Sequence, residues 1–233
     1  MNKSLGRAIL VTLALSVGFV FLSRPSSALI AAPSAVPAPA VDNPLAAAPG
    51  QETAVFAGGC FWGIQAVFQH VKGVKSAVSG YAGGRVASPS YEEVSSGMTG
   101  HAESVRVVFD PSKVSYGQLL RVFFSVAHDP TQLNYQGPDH GTQYRSEIFY
   151  TNDAQKRIAA AYIDQLGKAK VFSKPIVTKL EKAGAFNVAE SYHQNYATEH
   201  PNDMYIRIND APKVENLKKD LSQLYTPTLA AYQ

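Results

Sequence analysis

The stretch AVFAGGCFWG, residues 54–63, predicts the fold around the only cysteine of this chain. Its first four residues are apolar and indicate a short buried strand that ends at two glycines. From Ile64 to Val71, apolar residues then recur at the spacing of one helix face. Cys60 is therefore predicted at a strand-to-helix turn. The unpaired amides and the dipole of a helix N-terminus lower the pKa of a thiol at such a position.

Strand and helix patterns alternate along the rest of the chain. Strands are predicted at 54–57, 76–81, 104–109, 146–150 and 175–180. Helices are predicted from Phe61 onward and at 115–126, 152–167 and 214–225. This alternation predicts helices packed on a mixed β-sheet in a single domain.

Three segments fit neither period, namely 82–102, 127–145 and 186–206. They are rich in glycine, tyrosine, histidine and acidic residues, and they are too aromatic to be disordered linkers. Long ordered loops in a compact domain usually carry function. A functional site is therefore predicted in these three loops.

The first fifty residues differ from the rest. Lys3 and Arg7 precede an uncharged run from Ala8 to Leu22, the pattern of a secretory signal peptide. We expect residues 1–28 to be a signal peptide or a membrane anchor, since an organelle presequence would favour an amphipathic, arginine-rich helix. The protein is then exported, periplasmic or secreted, or anchored to a membrane. The alanine- and proline-rich residues 29–50 indicate an extended linker.

The globular domain is predicted at 51–225, followed by a tail at 226–233. The formal net charge of +3 comes largely from the N-terminal segment, so the domain is close to neutral. No basic run interleaved with aromatic residues remains, which argues against nucleic acid as a partner. No feature indicates an obligate oligomer, and we expect a monomer.

A lone cysteine in an exported protein has an external partner or a reactive role.

The residues around Cys60 leave two interpretations open. A free cysteine is commonly a small buried hydrophobe, but the turn before a helix favours a reactive thiol. Phe61 and Trp62 point about 100° apart on a helix, so both cannot face one core well. At least one of them is expected beside the sulfur, as an apolar wall suited to a methyl or thioether group.

Polar residues in the long loops extend this candidate site. Glu103 leads into a predicted buried strand, where it is either a surface residue or a carboxyl whose pKa is raised as a general acid requires. Asp139, His140 and Tyr144 precede another strand and are either turn residues or part of a site at the rim of the sheet. His193 and His200 match no helical metal motif, so packing within a tyrosine-rich loop is favoured over zinc binding.

Five motifs together resemble the A-type peptide methionine sulfoxide reductases. They occur in the order typical of that family and span about residues 53–210: GCFWG at 59–63, GYAGG at 80–84, GHAE at 100–103, HDPT at 128–131 and DHGTQYRS at 139–146. The resemblance implies an α/β (α+β) sandwich around a mixed sheet. It also implies reduction of the S epimer of methionine sulfoxide, which is the reaction of a peptide-methionine (S)-S-oxide reductase.

The resemblance also assigns expected roles to single residues. Cys60 matches the nucleophile that attacks the sulfoxide sulfur and becomes a sulfenic acid. Phe61 and Trp62 match the apolar pocket that holds the methyl group of the substrate. Glu103 matches the acid that protonates the sulfoxide oxygen.

Three further residues match supporting positions. Tyr91 and Tyr144 match the hydroxyl groups that hydrogen-bond the sulfoxide oxygen, and Asp139 matches the carboxylate that helps to position the site. The resemblance implies no metal and no bound cofactor. The expected partners are oxidised proteins or peptides that contain methionine sulfoxide.

The chain departs from many relatives because it carries no resolving cysteine. The tail at 217–233 has none, and Ser95 stands where some relatives have an additional cysteine. This single-cysteine variant therefore needs an external thiol reductant. The candidates are a thioredoxin-like protein, glutathione with glutaredoxin, or another small thiol.

Two other functions fit parts of the same sequence. A Cys-His hydrolase would acylate Cys60 and use His101 or His140 as its base. An exported binding module would recognise thioethers or small peptides through Phe61 and Trp62, without needing the thiol. Neither alternative accounts for the five motifs together.

Overall fold

The computed structural model describes residue 1 and residues 36–232. The predicted signal peptide or anchor at 1–28 lies outside these residues, apart from Met1. Among the helices of the described part, none is long and apolar enough to cross a membrane. The residues from 36 onward belong to one compact unit.

A six-stranded sheet forms the centre of this unit. The strands within the described residues are β1 (Glu52–Gly58), β2 (Val74–Ala82), β3 (Ala102–Phe109), β4 (Tyr135–Gln136), β5 (Asp139–His140), β6 (Ser146–Tyr150), β7 (Lys179–Lys182) and β8 (Asn187–Val188). The sheet order is β7-β6-β1-β3-β2-β8, while β4 and β5 pair separately. Only the β6–β7 pair is parallel, so the predicted mixed sheet is confirmed.

Six α-helices accompany the sheet in the described part of the chain. They are α1 (Phe61–Gln69), α2 (Tyr91–Ser95), α3 (Tyr116–Val122), α4 (Asp153–Lys168), α5 (Tyr196–Glu199) and α6 (Ala211–Asp220). Wider π turns continue α3 through Phe123–Ala127 and lead into α6 through Ile206–Asp210. Ser115 caps α3, as predicted, in a reciprocal capping box with Gln118.

Strand β1 is apolar and buried from Ala54 to Ala57 because both faces of the sheet are covered there. Successive side chains of a strand point to opposite faces. Phe56 faces the helices, and its ring stacks at 5.0 Å between centroids on both Phe68 and Phe123. Val55 points to the other face, where it joins a smaller cluster with Phe149. The strand is therefore a rigid support for the turn that follows it.

Two predicted elements have the wrong bounds. The strand predicted at 175–180 is β7 at Lys179–Lys182, because Pro175 has no N–H and Val177 donates its N–H to the Pro130 carbonyl in a loop instead. The helix predicted at 214–225 is α6, which begins at Ala211 with a proline in its first turn and ends at Asp220.

The described part of the predicted linker, residues 36–50, lies against the domain. It contains no helix or strand, yet Arg121 donates to the Val36 carbonyl at 3.0 Å and Tyr162 to the Pro37 carbonyl at 2.6 Å. The carboxylate of Asp42 accepts hydrogen bonds from the Ser115 hydroxyl and from the Gly117 N–H. These contacts attach the segment to the N-terminus of α3.

We expect Asp42→Ala to lower the free energy of unfolding by about 1 kcal/mol. The substitution removes three hydrogen bonds to a charged group, from the Ser115 hydroxyl and from the N–H groups of Gly117 and Asn43. Each is worth about 1.5–3 kcal/mol when buried and less at this partly exposed position. The measurement is urea denaturation of the full chain. Asn43→Ala is the matched control, and an equal stability change in both variants would show that the Asp42 contacts are unimportant.

The tail at 226–232 also packs on the domain. The Ala231 N–H donates to the Lys75 carbonyl at 3.1 Å, and the Ala77 N–H donates to the Ala231 carbonyl at 2.9 Å. The tail thus covers the first half of the edge of β2, and β8 covers the second half. Such pairing protects an edge strand from association with other chains.

Candidate active site

The turn between β1 and α1 places Cys60 directly before the first helical residue. Gly59 adopts φ +98°, a left-handed conformation that favours glycine. A Cβ atom at this position would also lie 2.6 Å from the Cβ of Gln136. The sharp turn and the close approach of the loop therefore both require glycine before the cysteine.

Gly63 is needed because a carboxyl group packs against it. Asp210, which is buried at the start of α6, occupies the space that a Cβ of Gly63 would fill. Its Oδ1 accepts a hydrogen bond from the Lys213 Nζ at 2.9 Å. This pair was not predicted from the sequence, although an acidic residue three positions before a lysine at a helix start is a usable signal.

Cys60 is buried and its pKa is raised well above the usual value. Removal from solvent is the main cause, and the negative charges of Glu103 and Asp210 add to it. The Trp62 N–H and the charge of Lys213 act in the opposite direction. The expectation that the helix N-terminus would lower the thiol pKa is thus wrong for the free protein, because burial outweighs the helix amides.

Glu103 reaches the same turn from the start of β3. Its Oε2 accepts a hydrogen bond from the Phe61 N–H at 3.0 Å, so the carboxyl group lies beside the backbone of Cys60. The side chain is 2% exposed, and burial raises the pKa of Glu103 to about 8, even though the Phe61 N–H favours the carboxylate. At neutral pH this group is mostly a protonated acid.

Three tyrosines and an aspartate surround this acid. Burial first, and the charge of Glu103 second, raise the pKa of both Tyr91 and Tyr144, so the three groups share one site. Tyr205, which the sequence analysis did not single out, donates its hydroxyl to Asp139. Burial, and next the charge of Cys60, raise the pKa of Tyr205. The raised pKa values keep the three tyrosine hydroxyl groups protonated, so that they can donate hydrogen bonds near the thiol.

The two aromatic residues after Cys60 differ in their surroundings. Trp62 is half-buried, and its indole Nε1 donates to the Nδ1 of His193 at 3.2 Å. Its ring stacks on Tyr196 with 3.8 Å between centroids and meets Tyr205 edge-on at 5.9 Å. The indole therefore forms an apolar wall whose orientation other side chains fix.

Phe61 is fully buried behind this wall. Its ring packs against Tyr81 at 5.9 Å and His193 at 5.1 Å between centroids. Phe61 therefore contacts His193, which also accepts the hydrogen bond of the Trp62 indole. Trp62 itself is only half-buried. A role of Phe61 as a direct methyl-binding wall stays a prediction.

The histidines that a hydrolase would need are engaged elsewhere. His101 is buried; its Nδ1 accepts from the Gly84 N–H and its Nε2 contacts the Val86 carbonyl at 2.8 Å. His140 is exposed and stacks on Tyr135. His193 contacts Trp62, and within residues 36–232 no group of three histidine, cysteine or acidic residues is placed to hold a metal ion.

Comparison with known proteins identifies the family. A family model described as peptide methionine sulfoxide reductase matches residues 52–224. The chain belongs to this family. It is 63% identical over 180 residues to peptide methionine sulfoxide reductase MsrA 2 of Mesorhizobium japonicum, a match that covers 77% of this chain and 92% of that protein. It is 49% identical over 212 residues to MsrA 2 of Synechocystis, covering 90% and 96%.

Solved reductase structures share the fold. Methionine sulfoxide reductase A of Corynebacterium diphtheriae superposes with a TM-score of 0.56 at 36% identity, covering 66% of this chain and 77% of that one. Reduced Mxr1 of Saccharomyces cerevisiae gives 0.61 at 30% identity, covering 70% and 92%. The predicted reductase fold and family are confirmed, and with them the reduction of methionine sulfoxide as the activity class. The hydrolase and binding-module alternatives are not favoured.

Proposed function

We propose that Cys60 reduces methionine-S-sulfoxide in oxidised proteins and peptides, with Glu103 as the proton donor. The observation that carries this assignment is the protonated, buried carboxyl of Glu103 hydrogen-bonded to the first helical N–H after the chain's only thiol. A sulfoxide oxygen is a poor leaving group, so attack at its sulfur requires a proton donor at the oxygen.

In the proposed reaction the substrate methyl group lies against Trp62, and its oxygen faces Glu103 with the hydroxyl groups of Tyr91 and Tyr144. Cys60 attacks the sulfoxide sulfur and forms a sulfur–sulfur bond, while the thiol proton and the proton of Glu103 pass to the oxygen and the sulfur–oxygen bond breaks to release water. Water then attacks the sulfur of Cys60, the sulfur–sulfur bond breaks, and methionine leaves with the electron pair of that bond. Cys60 is left as a sulfenic acid, and the proton lost by the attacking water returns to Glu103. The thioether has gained two electrons and the cysteine has lost two.

Tyr205 and Asp139 support this site from the side. Their mutual hydrogen bond places the Asp139 carboxylate next to a ring that meets Trp62 edge-on. Since the carboxylate has a protein donor, we propose a positioning role for Asp139 rather than proton transfer.

The enzyme is regenerated by a thiol from outside the chain, because no second cysteine exists. One thiol condenses with the sulfenic acid to a mixed disulfide and releases water, and a second thiol frees Cys60 and leaves as a disulfide. A thioredoxin-like protein and glutathione with glutaredoxin both supply this chemistry. The buried position of Cys60, which is 8% exposed, favours the smaller thiol as the reductant.

We also propose that the protein acts after export, as a monomer, in the periplasm or outside the cell or held at a membrane. The support is the basic and then uncharged N-terminal sequence before a neutral domain.

The test is a single-turnover reaction of the full chain with each sulfoxide epimer of a blocked methionine, without added thiol. We expect about one equivalent of methionine per enzyme from the S epimer only, and one added oxygen on the intact protein mass. Cys60→Ser is the control and should give no product. Product from neither epimer, with unchanged mass, would refute the proposed function.

A further inference from the structure

The segment from Ala189 to Tyr196 carries the two side chains that hold Trp62. His193 accepts the indole N–H, and the ring of Tyr196 stacks on the indole. Trp62 belongs to α1, whereas the segment directly follows β8. Trp62 and His193 are 131 positions apart in the chain. The shape of the proposed pocket therefore depends on how the segment is attached to α1 and to the sheet.

Gln194 makes the attachment to the sheet. Its side chain is buried, with its Oε1 accepting from the Ser79 N–H at 3.0 Å and its Nε2 donating to the Ser79 carbonyl at 3.0 Å. The amide group thus pairs with both backbone groups of one β2 residue, as a neighbouring strand would. Strand β8 ends at Val188, the next N–H, of Ala189, still donates to the Ser79 carbonyl at 3.0 Å, and the Gln194 side chain adds two hydrogen bonds to the same residue.

Gln65 makes the attachment to α1. Its Nε2 donates to the Oε1 of Gln194 at 2.9 Å, and its Oε1 accepts from the Asn195 N–H at 2.9 Å. Gln65 lies three positions after Trp62, on the same helix. One pair of buried amides therefore locks the helix that carries the indole to the segment that orients it.

A buried amide group is costly unless its partners are all present. The Nε2 of Gln194 also donates to the Ala189 carbonyl at 3.1 Å, so both donors and the acceptor of the amide are engaged. A buried amide with all of its hydrogen bonds formed stabilises one arrangement of the surrounding chain.

We propose that Gln194 is a positioning residue that sets the substrate pocket by fixing His193 and Tyr196 against Trp62. The proposal rests on the proposed function and adds a determinant of substrate affinity that does not contact the substrate. Without the Gln194 amide, the segment loses its side-chain hydrogen bonds to Ser79 and Gln65 and keeps only backbone contacts such as the Ala189 N–H to the Ser79 carbonyl, so the indole is held less firmly. Binding of the methyl group weakens, while Cys60 and Glu103 keep their geometry.

The experiment uses Gln194→Ala in the full chain. We expect KM for a blocked methionine-S-sulfoxide to rise about tenfold, while kcat stays within about twofold. Trp62 is the only tryptophan, so its fluorescence reports the pocket directly. Acrylamide should quench it more strongly in the variant than in the unchanged protein.

Gln155→Ala is the matched control. Gln155 is equally buried, and its amide bridges the Thr151 N–H at 3.0 Å and the Thr53 carbonyl at 2.8 Å, on a part of the sheet that does not contact Trp62. It should lose stability as Gln194→Ala does, with unchanged KM and quenching. Gln194→Met keeps the side-chain volume and replaces the alanine variant if that one does not fold.

Unchanged KM and quenching in a folded Gln194 variant would overturn the proposal, as would equal effects from Gln155→Ala. If the unchanged protein reduces no sulfoxide, the proposed function fails. The quenching comparison then still decides whether Gln194 orients the indole, so the two failures remain distinguishable.

Discussion

Glu103→Gln is expected to slow the single-turnover reduction of methionine-S-sulfoxide by about 10²–10⁴-fold, the usual contribution of a general acid. Glutamine has nearly the same shape, and its carbonyl oxygen can still accept the Phe61 N–H. The turn that carries Cys60 is therefore retained. What the variant lacks is a proton that can move to the sulfoxide oxygen when the sulfur–oxygen bond breaks.

The measurement is the rate of sulfenic acid formation at saturating substrate, followed from pH 6 to 10. In the unchanged protein the rate should fall as the pH rises above about 8, because burial raises the pKa of Glu103 to about 8 and the acid form is lost above it. Glu103→Gln should lack this decline, since glutamine does not ionise. Glu92→Gln, an exposed carboxylate on α2, is the control and should behave as the unchanged protein.

A rate for Glu103→Gln within a few-fold of the unchanged protein would remove the general-acid role. The proton would then come from the hydroxyl of Tyr91 or Tyr144, both of which adjoin Glu103 in the site. If Glu103→Gln is slow and its rate no longer falls above about pH 8, the pH dependence of the unchanged protein belongs to the Glu103 carboxyl group.

The structural features that depend on residues close together in the chain were predicted correctly from the sequence. The four apolar residues before Gly58, the two glycines and the helical spacing after Cys60 are local signals, and each favours the same turn. The capping box of Ser115 is equally local. Pro175, on the other hand, was included in a predicted strand although a residue without an N–H pairs poorly there.

The sequence could not reveal contacts between distant loops. The hydrogen bond from Tyr205 to Asp139 joins residues 66 positions apart, and no period or spacing relates them. The partners of Trp62 are equally remote. Spatial proximity of this kind depends on the path of every intervening loop, which local patterns do not specify.

The direction of the Cys60 pKa shift failed for a related reason. The helix amides are a local property, and they do favour the thiolate. The larger contribution is the loss of solvent, which comes from side chains contributed by the whole fold. The thiol of the free protein is thus protonated at neutral pH, and a reactive thiolate must form as the substrate binds and its oxygen takes up the proton of Glu103.

Trp62→Ala is expected to raise the substrate concentration required for half-maximal rate by about 10- to 100-fold, with a smaller change in the saturated rate. Burial of an aromatic or methyl-bearing group is worth about 1.5–3 kcal/mol, and each 1.4 kcal/mol is a factor of ten in affinity. The substitution removes the indole wall but leaves Cys60 and Glu103 in place, since both are fixed by backbone contacts of the turn. The measurement is kcat and KM with a blocked methionine-S-sulfoxide and excess dithiol.

Tyr150→Ala is the control, because this half-buried ring lies at the far end of β6 and contacts Lys156 rather than the site. An unchanged KM in Trp62→Ala would show that the indole is not the methyl-binding wall. A large fall in kcat with unchanged KM would instead mean that the ring contributes only in the transition state. A raised KM in Trp62→Ala that Gln194→Ala reproduces in part would show that the indole must be both present and held in place for the methyl group to bind.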